Sequence, residues 1–231
     1  MKKALLFFVL TAGVNSSALL FSEELRVAET WLFLGFEYGN FFESDLERGN
    51  KVESYTGSPG INLGSYCFWN EKNIGLFIHD IFAFPVTASE KTNGVTTKID
   101  LANYDFLFQT GIIIGPGFRY DINEKLTLKY AVGLGYLQTS VVYTEYIPTY
   151  GDASFSMLEW NFGIGGDVGV KFNITDTVFL TAGSIFTFDF ARFISAETSF
   201  GVSSSGWAEK FFMFGLRPYI SIGVNLRWEY Y

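Results

Sequence analysis

The sequence predicts an all-β protein, an eight-stranded antiparallel transmembrane barrel with short periplasmic turns and four longer extracellular loops. Three observations predict it. Apolar and polar residues alternate over segments long enough to cross a bilayer, short Asx-containing turns recur about every 50 residues, and the last strand ends on aromatics.

Taken in chain order, Lys2 and Lys3 precede an apolar run from Ala4 to Val14 and then Asn15-Ser16-Ser17-Ala18, which puts small residues where a signal peptidase reads them. Residues 1–18 are therefore expected to be a secretory signal, with cleavage after Ser22 as the competitor, and residues 19–231 the barrel domain. The run falls well short of the ~20 residues of a helical span. Beyond it no stretch offers 18 consecutive apolar residues, so the apolar surplus, including 26 Phe and 13 Tyr, is spread over short segments.

Strands are expected near Thr30 to Phe42, Gly60 to Trp69, Ile74 to Phe84, Tyr104 to Tyr120, Leu126 to Tyr143, Phe155 to Phe172, Val178 to Phe190 and Glu209 to Tyr230. In the fifth, Leu126, Leu128, Tyr130, Val132, Leu134 and Tyr136 alternate with Thr127, Lys129, Ala131, Gly133 and Gly135. In the sixth, Leu158, Trp160, Phe162, Ile164, Val168, Val170 and Phe172 alternate with Glu159, Asn161, Gly163, Gly165, Asp167, Gly169 and Lys171. Both exceed the ~9 to 11 residues of a tilted spanning strand. The last runs from Ile220 to Tyr230 with Ser221, Gly223, Asn225, Arg227 and Glu229 on its polar face. The first and third carry apolar residues on both faces and are the least regular. A soluble barrel or sandwich would have to bury the outward sets while Glu159, Asp167 and Lys171 faced solvent on Gly-rich strands; a tightly curved interior suits such a face better.

Turns are expected at Asn70 to Asn73, Asp121 to Lys125 and Asn173 to Thr177, and hydrophilic loops at Glu43 to Ser58, Pro85 to Asn103, Glu145 to Ser154 and Ala191 to Ala208. Trp31, Trp69, Phe118, Tyr120, Phe172, Trp228 and Tyr230 are expected to form the girdle at the turn end, and Tyr38, Phe106, Tyr136 and Trp160 the one at the loop end.

On this pattern the chain resembles the small eight-stranded outer-membrane proteins, the OmpW, OmpX and OmpA-barrel group. The resemblance implies residence in the outer membrane of a diderm bacterium, contact with its lipid, and insertion by the barrel-assembly machinery through a terminal aromatic. Tyr230 is in phase with Trp228, Leu226 and Val224, whereas Tyr231 is one residue out of phase. OmpW-like barrels imply conduction or binding of small or hydrophobic molecules; OmpX-like barrels imply a structural or surface role exercised through the loops on an extracellular partner.

Chemistry has few candidates. His79 is the only histidine, so any Ser-His-Asp arrangement must use it, but His79-Asp80-Ile81 lacks the serine that outer-membrane deacylases carry two residues on; it is expected to be a polar residue near the outer rim, and the chain not an enzyme. Glu37, Arg119, Lys129, Glu159, Asp167, Lys171, Arg217, Arg227 and Glu229 are expected on the lumen face as a polar network, with Lys129 nearer Asp167 than Glu159 and with Lys171 and Arg119 beside them. An eight-stranded lumen is narrow enough to be filled by side chains, which argues against a general porin. Gly163 to Gly169 lacks the ending of a phosphate loop, and Asn173-Ile-Thr175, though a sequon, lies in a tight turn. Cys67 has no internal partner and reads as a small strand residue. Glu43, Asp45, Glu47 and Glu53 lack calcium-loop spacing and read as solvated surface. No cofactor and no metal is expected. A net charge of −8 gives nucleic acid no footprint.

Overall fold

Alternation decides which face of each strand meets lipid, and closing the sheet decides where its edges go. The computed structural model describes residues 26–47, 50–69, 72–148, 151–208 and 210–230. The signal segment with its two cleavage sites, and the side chains of Glu229, Tyr230 and Tyr231, lie outside the described residues.

Eight long strands form the wall: β1 (Arg26–Glu47), β2 (Asn50–Trp69), β3 (Ile74–Ala83), β6 (Phe106–Asp121), β7 (Leu126–Ile147), β8 (Gly151–Asn173), β9 (Val178–Thr198) and β11 (Phe211–Tyr230). Three short ones, β4 (Thr87–Thr92), β5 (Val95–Ile99) and β10 (Ser203–Trp207), stand at the loop end. Each wall strand pairs antiparallel with the next, and β1 pairs with both β2 and β11, which closes the barrel and removes its edges.

The turn expected at Asn70 to Asn73 lies partly outside the described residues; the other two share one mechanism. Asn123 Oδ1 accepts from the backbone N–H of Lys125 and of Leu126, each at 2.9 Å, and Thr175 Oγ1 accepts from Thr177 at 3.2 Å and Val178 at 2.9 Å. A short oxygen-bearing side chain thus satisfies the N–H groups that a tight reversal leaves unpaired.

Along β8, Phe162, Ile164, Val168, Val170 and Phe172 are exposed on the outside. From Phe162 to Phe172 the strand rises ~33 Å, or ~23 to 25 Å along the membrane normal at the usual tilt, the height of an outer-membrane apolar band. Trp228, Tyr120 and Phe172 mark its lower boundary.

Three expectations change. The segments expected as loops are mostly hairpin extensions of the wall: β1 and β2 run on to Glu47 and Asn50, β7 and β8 to Ile147 and Gly151, and β9 with β10 fills most of Ala191 to Ala208. Above the bilayer both faces of a strand meet water, so these residues alternate little and read as loop. Likewise Pro85 to Asn103 holds the β4–β5 hairpin, closed by Asn93 and Gly94 at positive φ of 53° and 82°, as a tight two-residue turn requires. Trp31 is not a girdle residue: it is buried inside the barrel at 1 % exposure, against Tyr66 and Phe68.

A wall of this kind is not stable in water, because its outer band is apolar. The protein is expected to need detergent or lipid, to show a β-type circular dichroism there, and to migrate faster on gels unheated than boiled. A monomer that stays dispersed without detergent would overturn the membrane assignment.

Candidate functional site: a filled lumen under an open-walled vestibule

The inward faces of the strands stack in layers. In the lowest, Glu29 accepts from Trp31 Nε1 at 2.6 Å and pairs with Arg119. The Arg119 guanidinium lies 4.7 Å from the Phe68 ring centre, and Lys171 Nζ lies 4.2 Å from Trp31 and 5.0 Å from Phe179. Cations resting on aromatic faces need fewer carboxylate partners, which helps a narrow interior hold two basic residues side by side.

One layer up, Asp167 is the hub. It pairs with Lys129 and accepts from Tyr66 Oη at 2.7 Å and Tyr219 Oη at 2.8 Å, while the Lys129 ammonium also donates to Tyr219. Phe33, Tyr66 and Tyr219 surround that ammonium at 4.7, 5.0 and 5.0 Å. The Lys129 ammonium, the Asp167 carboxylate and both phenols each have hydrogen-bond partners within the protein, the condition under which a buried ion pair is tolerated.

In the third layer Arg217 pairs with Glu37, and His79 Nε2 stands 3.6 Å from the second oxygen of Glu37. His79 is fully buried in the lumen and therefore is not a rim residue, because Phe33 and Phe77 bracket its ring well below the loop end. Several buried atoms of this band have no protein hydrogen-bond partner: both nitrogens of His79, Asn62 Nδ2, Asp189 Oδ2, and Nε and Nη2 of Arg217. Atoms of this kind are ordinarily satisfied by ordered water. The Phe41 ring lies 4.5 Å over the Arg217 guanidinium and separates this band from the space above.

Above Phe41 the lumen widens into a vestibule of about 150 Å³. Its floor is polar, with Gln109, Thr139, Asn161, Glu159 and Arg192; its upper wall is apolar, with Leu107, Val141, Met157 and Ile99. Arg192 donates from Nε to Asn161 Oδ1 at 2.9 Å and from Nη1 to Glu43 at 2.5 Å, and lies 3.9 Å from Glu159 and 4.0 Å from Asp45. Glu43 and Asp45 are thus not solvated surface as expected; the extension of β1 carries them above Phe41 on its inward face.

A bulge puts Arg192 there. Below it the β8–β9 register pairs Gly163 with Asp189, and above it Phe162 with Ala191, so Phe190 is extra and stands outside, 64 % exposed. The insertion reverses the alternation and turns Arg192 inward.

The wall of the vestibule is incomplete on one side. Up to Ala83, β3 joins β2 to β6. Above that level β2 pairs with β4 and β4 with β5, yet no ladder joins β5 to β6, whose residues from Phe106 to Phe108 pair only with β7. Residues 100–105, including a 3₁₀ turn at Leu101–Asn103, link β5 to β6, and Leu101 and Tyr104 line the vestibule. Phe84, Val86 and Phe106 are exposed beside it, with Phe84 and Phe108 rings 5.1 Å apart.

Of the residues expected on the lumen face, Lys129 and Asp167 meet directly, Arg119 and Lys171 lie one layer below them, Glu37 and Arg217 pair one layer above, and Glu159 belongs to the vestibule. Arg227 is opposite Glu29 at the lower rim and exposed. Sequence reasoning missed Glu29, Tyr66, Tyr219 and Arg192. Glu29 and Tyr219 were findable by phase, since each shares the face of a residue already assigned inward on its strand; Tyr66 was not, because no residue of β2 had been assigned inward, and Arg192 was not, because the bulge breaks the phase.

No protein-family model matches the chain, and comparison with curated proteins gives no match. Among solved structures it is similar to the outer membrane protein OprG from Pseudomonas aeruginosa, with a TM-score of 0.54 and 14 % identity over 86 % of this chain and 96 % of that one. It is also similar to a major outer membrane protein from Thermus thermophilus, with a TM-score of 0.52 and 11 % identity over 83 % and 99 % of the two chains. A third is the outer membrane protein AlkL, with a TM-score of 0.50 and 15 % identity over 89 % and 94 %. The fold is that of the small outer-membrane β-barrels.

Proposed function

We propose that the chain, exported through its N-terminal signal, resides in the outer membrane. There it takes small apolar or amphipathic molecules from outside into the vestibule and releases them sideways through the seam between β5 and β6. The observation that carries this reading is the missing ladder between β5 and β6 above Ala83, which leaves the vestibule wall without backbone pairing on the flank where Phe84, Val86 and Phe106 are exposed. Passage straight down would have to displace Arg217, Phe33, Lys129, Tyr66 and Trp31, which are all almost fully buried. That layer stack supports the sideways route over the axial one.

Planar bilayers carrying the protein are accordingly expected to show no sustained ion conductance, while cells expressing it accumulate short apolar solutes faster than cells without it. Met157→Trp, which fills the vestibule, is expected to abolish that gain with the barrel still inserted. Steady conductance, or uptake indifferent to Met157→Trp, would overturn the sideways route.

A surface-interaction role is the second reading, favoured by exposed apolar residues on the hairpins: Val95, Tyr146 and Val202 are each about two-thirds exposed. Here the hairpins would bind an extracellular partner, and replacing all three by Ser would abolish binding while leaving solute uptake intact.

A further inference from the structure

The sheet beside the seam carries a basic outer face at an otherwise acidic end of the barrel. Thr56, Ala88 and Ile99 are partners across β2, β4 and β5, and all three line the vestibule. The adjoining row of partners, Tyr55, Ser89 and Lys98, therefore points outside. Two residues nearer the tip the outward row is Glu53, Lys91 and Thr96, and Lys51 follows on β2. This face thus holds three lysines and one acid. Glu53 lies 2.6 Å from Lys51 and 3.5 Å from Lys91, while the residue opposite Lys98 is Ser89. The Lys51 and Lys91 side chains stay 65 % and 43 % exposed, and Lys98 is exposed too. Exposed pairs of this kind hold weakly, and each ammonium has three protons to donate, so one shared carboxylate leaves room for a second anion. Elsewhere at the loop end Asp105, Glu145, Asp152 and Glu197 are exposed, and Lys210 is the one further exposed base among the described residues.

Height is the second observation. Phe84 and Val86 are exposed apolar residues on this flank, and beyond Val86 the outward residues of β4 turn polar, as Thr87, Ser89 and Lys91. The row of Ser89 and Lys98 lies three residues past Val86, which is ~10 Å along the strand and ~7 Å along the membrane normal at the usual tilt. Headgroups fill ~5 to 8 Å beyond each face of the hydrocarbon. Lys98 therefore stands at the level of lipid phosphates, and Lys91, ~5 Å higher, reaches down to it on a flexible stem. An acyl tail below that phosphate falls onto Phe84 and Val86. We propose that the outward face of β2, β4 and β5 binds the phosphate headgroup of an anionic lipid of the outer leaflet, through Lys51, Lys91 and Lys98. This rests on the membrane residence proposed above and not on the route of solutes.

The test is native mass spectrometry of the full barrel in detergent, titrated with dioleoyl phosphatidate or with dioleoyl phosphatidylcholine, which share tails and differ in headgroup charge. Phosphatidate is expected to bind about tenfold tighter, and the triple variant Lys51→Gln, Lys91→Gln, Lys98→Gln to bring it to the level of phosphatidylcholine. Glu53→Gln, which releases two ammonium groups, is expected to tighten phosphatidate about fivefold, a gain that a purely structural role for Glu53 would not produce. Should the triple variant fail to insert, raising the ammonium acetate from 0.1 to 1 M on the wild-type barrel replaces it and is expected to weaken phosphatidate alone. A millimolar excess of inorganic phosphate is expected to leave the lipid bound; displacement would overturn the lipid in favour of a free anion. Equal binding of the two lipids by the wild-type barrel, or no loss in the triple variant, overturns the phosphate site and leaves the solute route standing. A chain that binds neither lipid and stays dispersed without detergent overturns both.

Discussion

Asp167→Leu is expected to destabilise the barrel by about 3 to 5 kcal/mol, the range for removing one partner of a buried ion pair, and Lys129→Met by less, about 1 to 3 kcal/mol. The asymmetry follows from who is left alone. Without Asp167, the ammonium of Lys129 and the hydroxyls of Tyr66 and Tyr219 all lose the oxygens they donate to. Without Lys129, the carboxylate keeps two phenol donors, at 2.7 and 2.8 Å. In the double variant no charge remains, so its loss should fall below the sum of the two single losses. Thermal midpoints of the folded gel form, with the three variants in one detergent, measure this. Strict additivity, or a larger loss for Lys129→Met, would show that Asp167 does not organise this layer.

That layer was legible in the sequence because β7 from Leu126 to Tyr136 and β8 from Leu158 to Phe172 keep a two-residue period, so Lys129 and Asp167 had a determined face and height. The same reasoning failed on β1 and β3 for a physical reason. Their inward faces carry Trp31, Phe33 and Phe77, which serve as platforms for Lys171 and Lys129 and as packing around His79. Where a lumen is filled by rings under cations, hydropathy no longer distinguishes inside from outside, and an inward Trp31 looks like a girdle residue. The vestibule was hidden twice, once by the bulge at Phe190 and once because Glu43 and Asp45 sit where the strand has left the bilayer and its alternation has faded. The seam was beyond reach altogether, since it depends on which ladder is absent between β5 and β6, and no single strand encodes that.

The bulge makes its own prediction, at two glycines that face each other across β7 and β8. Gly135 and Gly163 are register partners and both lie on the inward face, so composition and alternation treat them alike. The structure does not. A Cβ on Gly163 would stand 1.9 Å from the Phe188 carbonyl oxygen and 2.6 Å from Asp189 Cα, backbone of the β9 segment that leads into the bulge. Backbone cannot rotate away as a side chain can, so Gly163→Ala must push the strands apart at the point that turns Arg192 inward. A Cβ on Gly135 would meet nothing closer than 3.6 Å, an ordinary contact. Gly163→Ala is therefore expected to cost about 1 to 3 kcal/mol, the range for overpacking, and Gly135→Ala to stay within about 0.5 kcal/mol of wild type. If the register relaxes instead of unfolding, Phe190 re-enters the ladder and Arg192 leaves the vestibule. Gly163→Ala should then also lose the solute uptake that depends on the vestibule, which Gly135→Ala keeps. Equal stability and equal solute uptake in the two variants would mean that β9 does not cross Gly163 as closely as the register requires, and the origin of the inward Arg192 would have to be sought elsewhere.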